Sequence, residues 1–142
     1  MLHDAAEQTP DPSPSALRAA YEERLRSAIR TVGAETVADE TGLDVDRVEA
    51  LRTESVPDLT VESAAAILAT DPGQPDADAI VFELRDHLLM GMTTAVLDVD
   101  TIAANIDVDL TAQEVQQAIE GRIEMTLAQL AAIQSVIDGR EA

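Results

Sequence analysis

Apolar residues recur at three- and four-residue steps along most of this chain, and this spacing most constrains its fold. The clearest run puts six apolar residues on one face of a helix, namely Leu17, Tyr21, Leu25, Ala28, Ile29 and Val32. No segment alternates between apolar and polar residues as a half-buried strand would. With one Phe, one Tyr and no Trp, the core must be filled by Ala, Leu, Val and Ile. The pattern predicts an all-α protein.

Changes in composition divide the chain into four segments. Residues 1–12 are polar, contain proline and show no apolar period, so we expect them to be disordered. Helical patterns occupy residues 13–70 and 78–139. The Pro- and Gly-containing stretch 71–77 between them is predicted to be a linker. The division predicts two small helical bundles in tandem.

The two halves repeat one another at an offset of about 65–67 residues. The corresponding positions are 36–38 with 101–103, Val48 with Val115, 59–61 with 125–127, and 65–67 with 131–133. In each half the pattern predicts a long first helix, two short helices joined by a turn, and a closing helix with a capped start. Ala38 and Ala103 are small enough to let the two short helices approach closely.

The segment from Glu35 to Leu51 has an Ala in its first short helix, Gly42 at the turn and an apolar residue in its second. Together with the Ala-rich stretch 59–68, it resembles the lambda-repressor/Cro-type helix-turn-helix family. The second half is similar, but Asp107 lies near the position of the turn glycine and the loop is longer. In that family the second helix of the motif lies in the major groove of DNA.

The resemblance implies that the second short helix of each half would face DNA. In the second half the candidate nucleic-acid-binding residues are Gln113, Gln116, Gln117 and Arg122, since Gln can pair bidentately with adenine. The alternative for these residues is a solvated polar surface. The matching helix of the first half is acidic, and the chain lacks a basic stripe, so DNA binding is expected only at high salt.

The charge of the chain favours other partners. Acidic residues number 28 against nine basic residues, all of them Arg, for a formal net charge of −19, and both halves share the excess. Salt near 1 M shortens the Debye length to about 3 Å and screens most of this repulsion. Absence of Lys, abundant Asp and an Ala- and Val-rich core resemble cytoplasmic proteins of salt-loving archaea. The alternative is an ordinary acidic interaction protein.

The whole chain, and residues 87–103 in particular, is similar to an uncharacterised haloarchaeal protein family. This resemblance implies a salt-adapted cytoplasmic origin and no particular function. Association with an unknown protein partner, or self-association, is favoured over DNA binding. The candidate interface residues are Leu88, Leu89, Met90, Gly91 and Met92. They could instead form the core between the two halves.

The sequence offers little for catalysis or metal binding. It has no Cys, and its two histidines are His3, for which we expect no role, and His87, interpreted as structural. The Asp residues between 98 and 109 lack the loop Gly and closing Glu of an EF-hand, and helix caps and turns explain them. We therefore expect no enzyme activity, no cofactor and no metal. A metal-dependent enzyme is the least favoured alternative.

Features of targeting also point to the cytoplasm. No apolar run approaches the roughly 18 residues that a membrane-spanning helix needs. Residues 1–15 have neither the basic start nor the apolar stretch of a signal peptide. We therefore expect a cytoplasmic protein that does not interact with a membrane.

Overall fold

The computed structural model describes residues 1–141 and consists of helices joined by turns. The helices are α1 (Asp4–Glu7), α2 (Pro14–Val32), α3 (Ala34–Thr41), α4 (Val45–Ala50), α5 (Val61–Ala69), α6 (Ala77–Ala95), α7 (Val99–Asn105), α8 (Ala112–Glu120) and α9 (Leu127–Glu141). No strand forms within residues 1–141, so the all-α prediction is confirmed.

Helix starts follow the capping residues of the sequence. Ser13 Oγ accepts a hydrogen bond from the backbone N–H of Ala16, and Pro14 occupies the first position of α2. Thr111 and Glu114 form a reciprocal capping box at α8. The same reciprocal pair forms at α9, where Thr126 and Gln129 bond to each other's backbone N–H groups. These contacts satisfy N–H groups that a helix start would otherwise leave unpaired.

Helix ends use left-handed backbone conformations. α3 ends at Gly42, with φ 77°, and α8 ends at Gly121, with φ 79°, where glycine has no Cβ to clash. α6 ends differently, because Val96 adopts φ 55° and ψ 52°. A β-branched residue rarely occupies this region, and the helix end at Val96 is therefore strained.

One core holds both halves together. The long helices α2 and α6 have 19 residues each, and they pack with α5 and α9 around a single contiguous apolar cluster. α2 makes its most extensive contact with α9, and α5 makes its most extensive contact with α6. Each half therefore buries its long helix against the closing helix of the other half. Whether 13–70 and 78–139 are independent units stays a prediction.

The starts of α5 and α9 meet through backbone hydrogen bonds. The Val61 N–H donates to Met125 O at 2.7 Å, and the Leu127 N–H donates to Leu59 O at 2.8 Å. Thr60 and Thr126 thereby form an isolated antiparallel bridge. The sequence comparison aligns residues 59–61 with 125–127, so equivalent positions of the two halves bond reciprocally. The bridge has the geometry of a local two-fold relation.

The short helices pair within each half, α3 with α4 and α7 with α8. Val37 and Val48 are fully buried in the first pair, and Ile102 and Val115 in the second. These equivalent positions therefore have similar surroundings. The predicted contact residues Ala38 and Ala103 are buried and half-buried respectively.

Residues 1–12, expected to be disordered, instead pack on the helical body. Leu2 is fully buried, and Ala5 and Ala6 of α1 are buried beside it. α1 packs against α2. The expectation differs from the structure because these apolar residues, spaced three and four apart, form one short face among polar neighbours.

Among the helices of residues 1–141, none combines the length and apolar content that crossing a bilayer would require.

Candidate functional site

The predicted nucleic-acid face of α8 is partly engaged in internal contacts. Gln113 is exposed, whereas Gln117 is half-buried. Gln116 Nε2 donates to Glu120 Oε1 at 2.8 Å, and Arg122 Nε lies 3.2 Å from Glu120 Oε2. Glu120 therefore engages both side chains and adds negative charge to the face that DNA would approach. The role of these four predicted residues in binding DNA stays a prediction.

Most arginines of the chain lie beside carboxylates. Among the side chains of residues 1–140, seven arginines have a guanidinium nitrogen within 4.0 Å of an Asp or Glu oxygen, namely Arg18, Arg26, Arg30, Arg47, Arg52, Arg85 and Arg122. Arg24 donates to the side chain of Gln8. Phosphate binding draws on Lys and Arg charges, and here most of those charges already have anionic neighbours.

The predicted interface 88–92 divides between core and surface. Leu88 is fully buried and belongs to the core. Leu89 and Met90 are 50% and 63% exposed, and Gly91 and Met92 are half-buried. The core interpretation therefore applies to Leu88, and an interface role for the other residues stays a prediction.

We call the exposed large apolar side chains of α6 and its end the α6 patch. They are Phe82, Leu89, Met90 and Val96, with exposed fractions of 67%, 50%, 63% and 87%. Such side chains are not shielded by the acidic residues around them. Clustered exposed apolar surface marks an interaction site more often than isolated residues do.

One flank of the α6 patch borders a concave surface of about 400 Å³, which we call the α6–α8 groove. Its apolar wall consists of Leu89, Met92, Leu97, Val99 and Ile119. Asp98 and Glu120 line it as well. Hydrogen bonds from Thr101 hold the pKa of Asp98 below its ordinary value, so this carboxylate is ionised at neutral pH.

The opposite flank of α6 borders a second concavity of about 540 Å³, which we call the α1–α9 cavity. It lies between α1 with the segment through Pro12, α6 and the last turns of α9. Both histidines line it, and their ring centroids are 5.3 Å apart. His87 Nδ1 lies 3.6 Å from Glu7 Oε1, and His3 Nε2 lies 3.3 Å from Asp4 Oδ1.

Buried polar groups gather at the inner wall of this cavity. Gln134 is 1% exposed, and its Nε2 donates to Asp138 Oδ1 at 2.7 Å. Gln134 Oε1 has no hydrogen-bond donor among residues 1–141. Within the same described range, His3 Nδ1 and the Tyr21 hydroxyl are also buried without a partner. Unsatisfied buried polar atoms are uncommon in proteins, and two of these belong to residues that line the cavity, His3 and Gln134.

Burial and neighbouring groups shift the pKa values of Asp138 and Tyr21 near this wall. Burial raises the pKa of Asp138, while the hydrogen bond from Gln134 and the nearby His87 oppose that rise. Burial also raises the pKa of the Tyr21 hydroxyl, and the Asp138 carboxylate adds to the effect. Tyr21 therefore remains a neutral hydroxyl near Asp138.

The described residues do not assemble a metal site. Across residues 1–141, no group of three His, Cys, Asp or Glu side chains has the arrangement that would hold a metal ion. The carboxylates and imidazoles of the α1–α9 cavity are thus suited to hydrogen bonding and charge pairing.

Sequence reasoning located part of the groove but missed the cavity. Leu89 and Gln116 line the α6–α8 groove and were both candidates. His3 was given no role and His87 only a structural one, because the packing of residues 1–12 was not foreseen. The spacing of Leu2, Ala5 and Ala6 was the available signal for that packing.

Comparison with known proteins provides a family but no activity. No curated protein and no solved structure matches the chain. A family model matches residues 17–140, in agreement with the resemblance to an uncharacterised family, while an origin in salt-loving archaea stays a prediction. On this match the chain belongs to a family of unknown function (DUF5791).

Proposed function

We propose that the chain is a non-enzymatic regulatory or protein-interaction module of a salt-rich cytoplasm, and that the α6–α8 groove binds its partner. The observation that carries the proposal is the α6 patch, where large apolar side chains remain exposed on a chain of net charge −19. Burying one Leu- or Val-sized side chain contributes about 1.5–3 kcal/mol to association. The exposed side chains of the α6 patch can therefore contribute enough free energy of association for a specific contact.

Backbone strain beside the groove supports the same assignment. Val96 is 87% exposed and adopts a left-handed conformation that disfavours β-branched residues. Neither its burial nor its backbone geometry favours folding. Strain of this kind concentrates at functional sites, where a residue is retained for what it contacts.

The charge around the groove indicates what kind of partner fits. Asp98 and Glu120 line the groove, and Asp100 is exposed on α7 beside them. A second copy of this chain would bring like charge to an already acidic surface. The partner proposed here is therefore a basic amphipathic segment, with apolar side chains for the groove and Lys or Arg for its acidic border.

In this proposal the helix pairs α3–α4 and α7–α8, whose sequences resemble helix-turn-helix motifs, serve as a scaffold for protein association. Exposed Gln113 on α8 is the feature that keeps DNA as a competing partner. Against it stand the carboxylates beside most arginines and the contacts that Glu120 makes with Gln116 and Arg122. Fold alone does not fix function, so the experiment must separate the two.

The test uses the full chain and a fluorescent amphipathic peptide of Leu and Lys, with a scrambled peptide of equal composition as the comparison. We expect saturable binding of the amphipathic peptide in fluorescence anisotropy. Leu89→Ser should weaken binding about tenfold or more, since it removes a large apolar contact. Val45→Ser is the matched control, because Val45 is an exposed apolar side chain on α4 that belongs neither to the α6 patch nor to the α6–α8 groove. It should leave the Kd unchanged.

Val96→Gly adds a variant whose effect cannot be attributed to unfolding, because it should relieve strain while removing an apolar contact. Weaker peptide binding by a more stable protein supports the proposal. Equal affinity for both peptides, or equal loss in Leu89→Ser and Val45→Ser, contradicts it. If light scattering shows a dimer that Leu89→Ser disrupts, the partner is a second copy of this chain, and the proposed basic segment is wrong. Duplex DNA binding in molar KCl that is lost in Gln116→Ala/Gln117→Ala would favour the DNA alternative.

A further inference from the structure

We propose that the α1–α9 cavity is a binding site for a small aliphatic ammonium ligand, an amine cation with a short methylene chain. This site lies on the flank of α6 opposite the α6–α8 groove, and it does not depend on the proposed partner. The assignment rests on which hydrogen-bonding groups face the cavity, on their charge, and on the size and composition of its walls.

Two residues that line the cavity carry buried polar atoms without a hydrogen-bond partner. Gln134 Nε2 is committed to Asp138, which fixes the amide orientation and leaves Oε1 as a buried acceptor without a donor in residues 1–140. His3 Nδ1 is the second such atom, and His3 Nε2 lies 3.3 Å from Asp4 Oδ1. The amide oxygen of Gln134 is complemented by an N–H donor.

The charge of the cavity selects a cation. Carboxylates of Glu7, Glu83, Asp86 and Asp138 line it, and no Arg is among the lining residues that the structure describes. Among these carboxylates, Asp138 accepts a hydrogen bond from Gln134, and Glu7 lies beside His87. An anionic ligand would meet repulsion from every carboxylate, whereas an ammonium group supplies both the missing charge and three N–H donors.

The remaining walls distinguish an organic cation from a bare metal ion. Ala6, Pro10, Pro12 and Met90 contribute apolar surface to the cavity. The side chains of residues 1–141 offer no group of three metal ligands. A volume of about 540 Å³ falls within the range typical of small-molecule sites. A methylene chain can pack on the apolar wall while its ammonium group bonds to Gln134 and Asp138.

The chain provides its own reporters for a test. Its two histidines both line the cavity, so the imidazole NMR signals of the full chain report on this site. The probe is 1,4-diaminobutane, and 1,4-butanediol is its uncharged analogue of similar length. We expect both imidazole signals to shift saturably with the diamine, and neither to shift with the diol. Absence of any shift with the diamine, or equal shifts with both compounds, overturns the proposal.

A variant pair separates a built site from general attraction to an acidic surface. Asp138→Asn keeps an acceptor for Gln134 but removes the charge, so the Kd for the diamine should rise about 10-fold or more. Asp109→Asn removes an equal charge from an exposed loop and should leave the Kd unchanged. Equal weakening in both variants overturns the proposal.

Gln134→Met provides a second route should Asp138→Asn fail to fold, which circular dichroism would reveal. Methionine has a similar shape but lacks the amide oxygen. Loss of diamine affinity in this variant supports the proposal, and retained affinity overturns it.

Discussion

The carboxylates of Glu22 and Asp138 are both shielded from water, but they differ in the hydrogen bonds that replace their hydration. Glu22 is 3% exposed, and its Oε2 accepts from Ser55 Oγ at 2.9 Å and from the Val56 N–H at 2.8 Å. Arg18 lies 4.0 Å away. Asp138 is half-buried, and its hydrogen bond comes from the Gln134 amide. Glu22 thus has the donors that a buried carboxylate needs, whereas Asp138 remains a destabilising charge.

Replacing Asp138 by Asn should raise the thermal stability at neutral pH. Burial raises the folded-state pKa of Asp138 above its unfolded value. The stability linked to its protonated form is therefore fully present below the ordinary carboxyl pKa and is lost as pH rises through the folded pKa. Asn imitates the neutral form and still accepts from Gln134. We expect a higher Tm than wild type at pH 7, with the difference closing towards about pH 4.

Circular dichroism melts at both pH values test this expectation, with Asp109→Asn as the control for general relief of charge repulsion. An identical gain in the two variants, or a gain that grows as pH falls, contradicts the role assigned to Asp138.

At the scale of single residues, the contacts of some side chains could be predicted from the sequence and those of others could not. The capping roles of Ser13, Thr111 and Thr126 follow from local chemistry, because a cap and its partner lie within three residues. The setting of His87 depends on α1, which is distant in sequence, and no local pattern contains that information. The same holds for Arg26, whose Nε donates to Leu51 O at 2.9 Å across 25 residues of sequence.

Among the helices, the end of α6 is the element with the clearest conflict between conformation and residue type. Gly42 and Gly121 occupy left-handed positions at helix ends, and Val96 occupies the same kind of position without glycine's freedom. The solvent around Val96 offers no packing to offset this strain.

Val96→Gly should stabilise the protein by up to about 1 kcal/mol. An L-residue in the left-handed region costs about 1–2 kcal/mol, and the added flexibility of glycine in the unfolded chain offsets part of the gain. Urea denaturation measures the change. Thr94→Gly is the control inside α6, where glycine should destabilise the helix. If both variants lose stability, the strain assigned to Val96 is wrong.

Element by element, the sequence predicted the longer helices well because their apolar period and caps agree. The long first helix expected in the second half is α6, Ala77–Ala95. The candidate interface included Leu89 and Met90, which are exposed, but it did not include Phe82, which is exposed as well. Periodicity identifies a helix, but only its neighbours decide which apolar residues they cover.

At the scale of the whole molecule, the main feature is that the long helix of each half packs on the closing helix of the other half. α2 packs chiefly on α9 and α5 chiefly on α6. The repeat in the sequence indicated equivalent halves, but a pattern within each half cannot say whether its long helix packs on its own closing helix or on the other. That choice depends on long-range geometry.

Stability should increase with salt. With a net charge of −19, repulsion across the surface opposes the compact state, and screening reduces it. We expect the free energy of unfolding to rise by about 1 kcal/mol or more between dilute and molar KCl, which shifts the Tm by roughly 4 °C. A double variant, Asp78→Asn/Asp109→Asn, should show a smaller rise. A flat Tm across this range would contradict the prediction.

The reciprocal bridge at Thr60 and Thr126 bears on how the protein is made. As the chain leaves the ribosome, α2 emerges long before α9, the helix that it contacts most extensively. Its buried side chains Leu17, Leu25 and Ile29 are therefore incompletely covered until α9 has been synthesised. During that delay the dense negative charge of the nascent chain opposes its association with other unfinished chains.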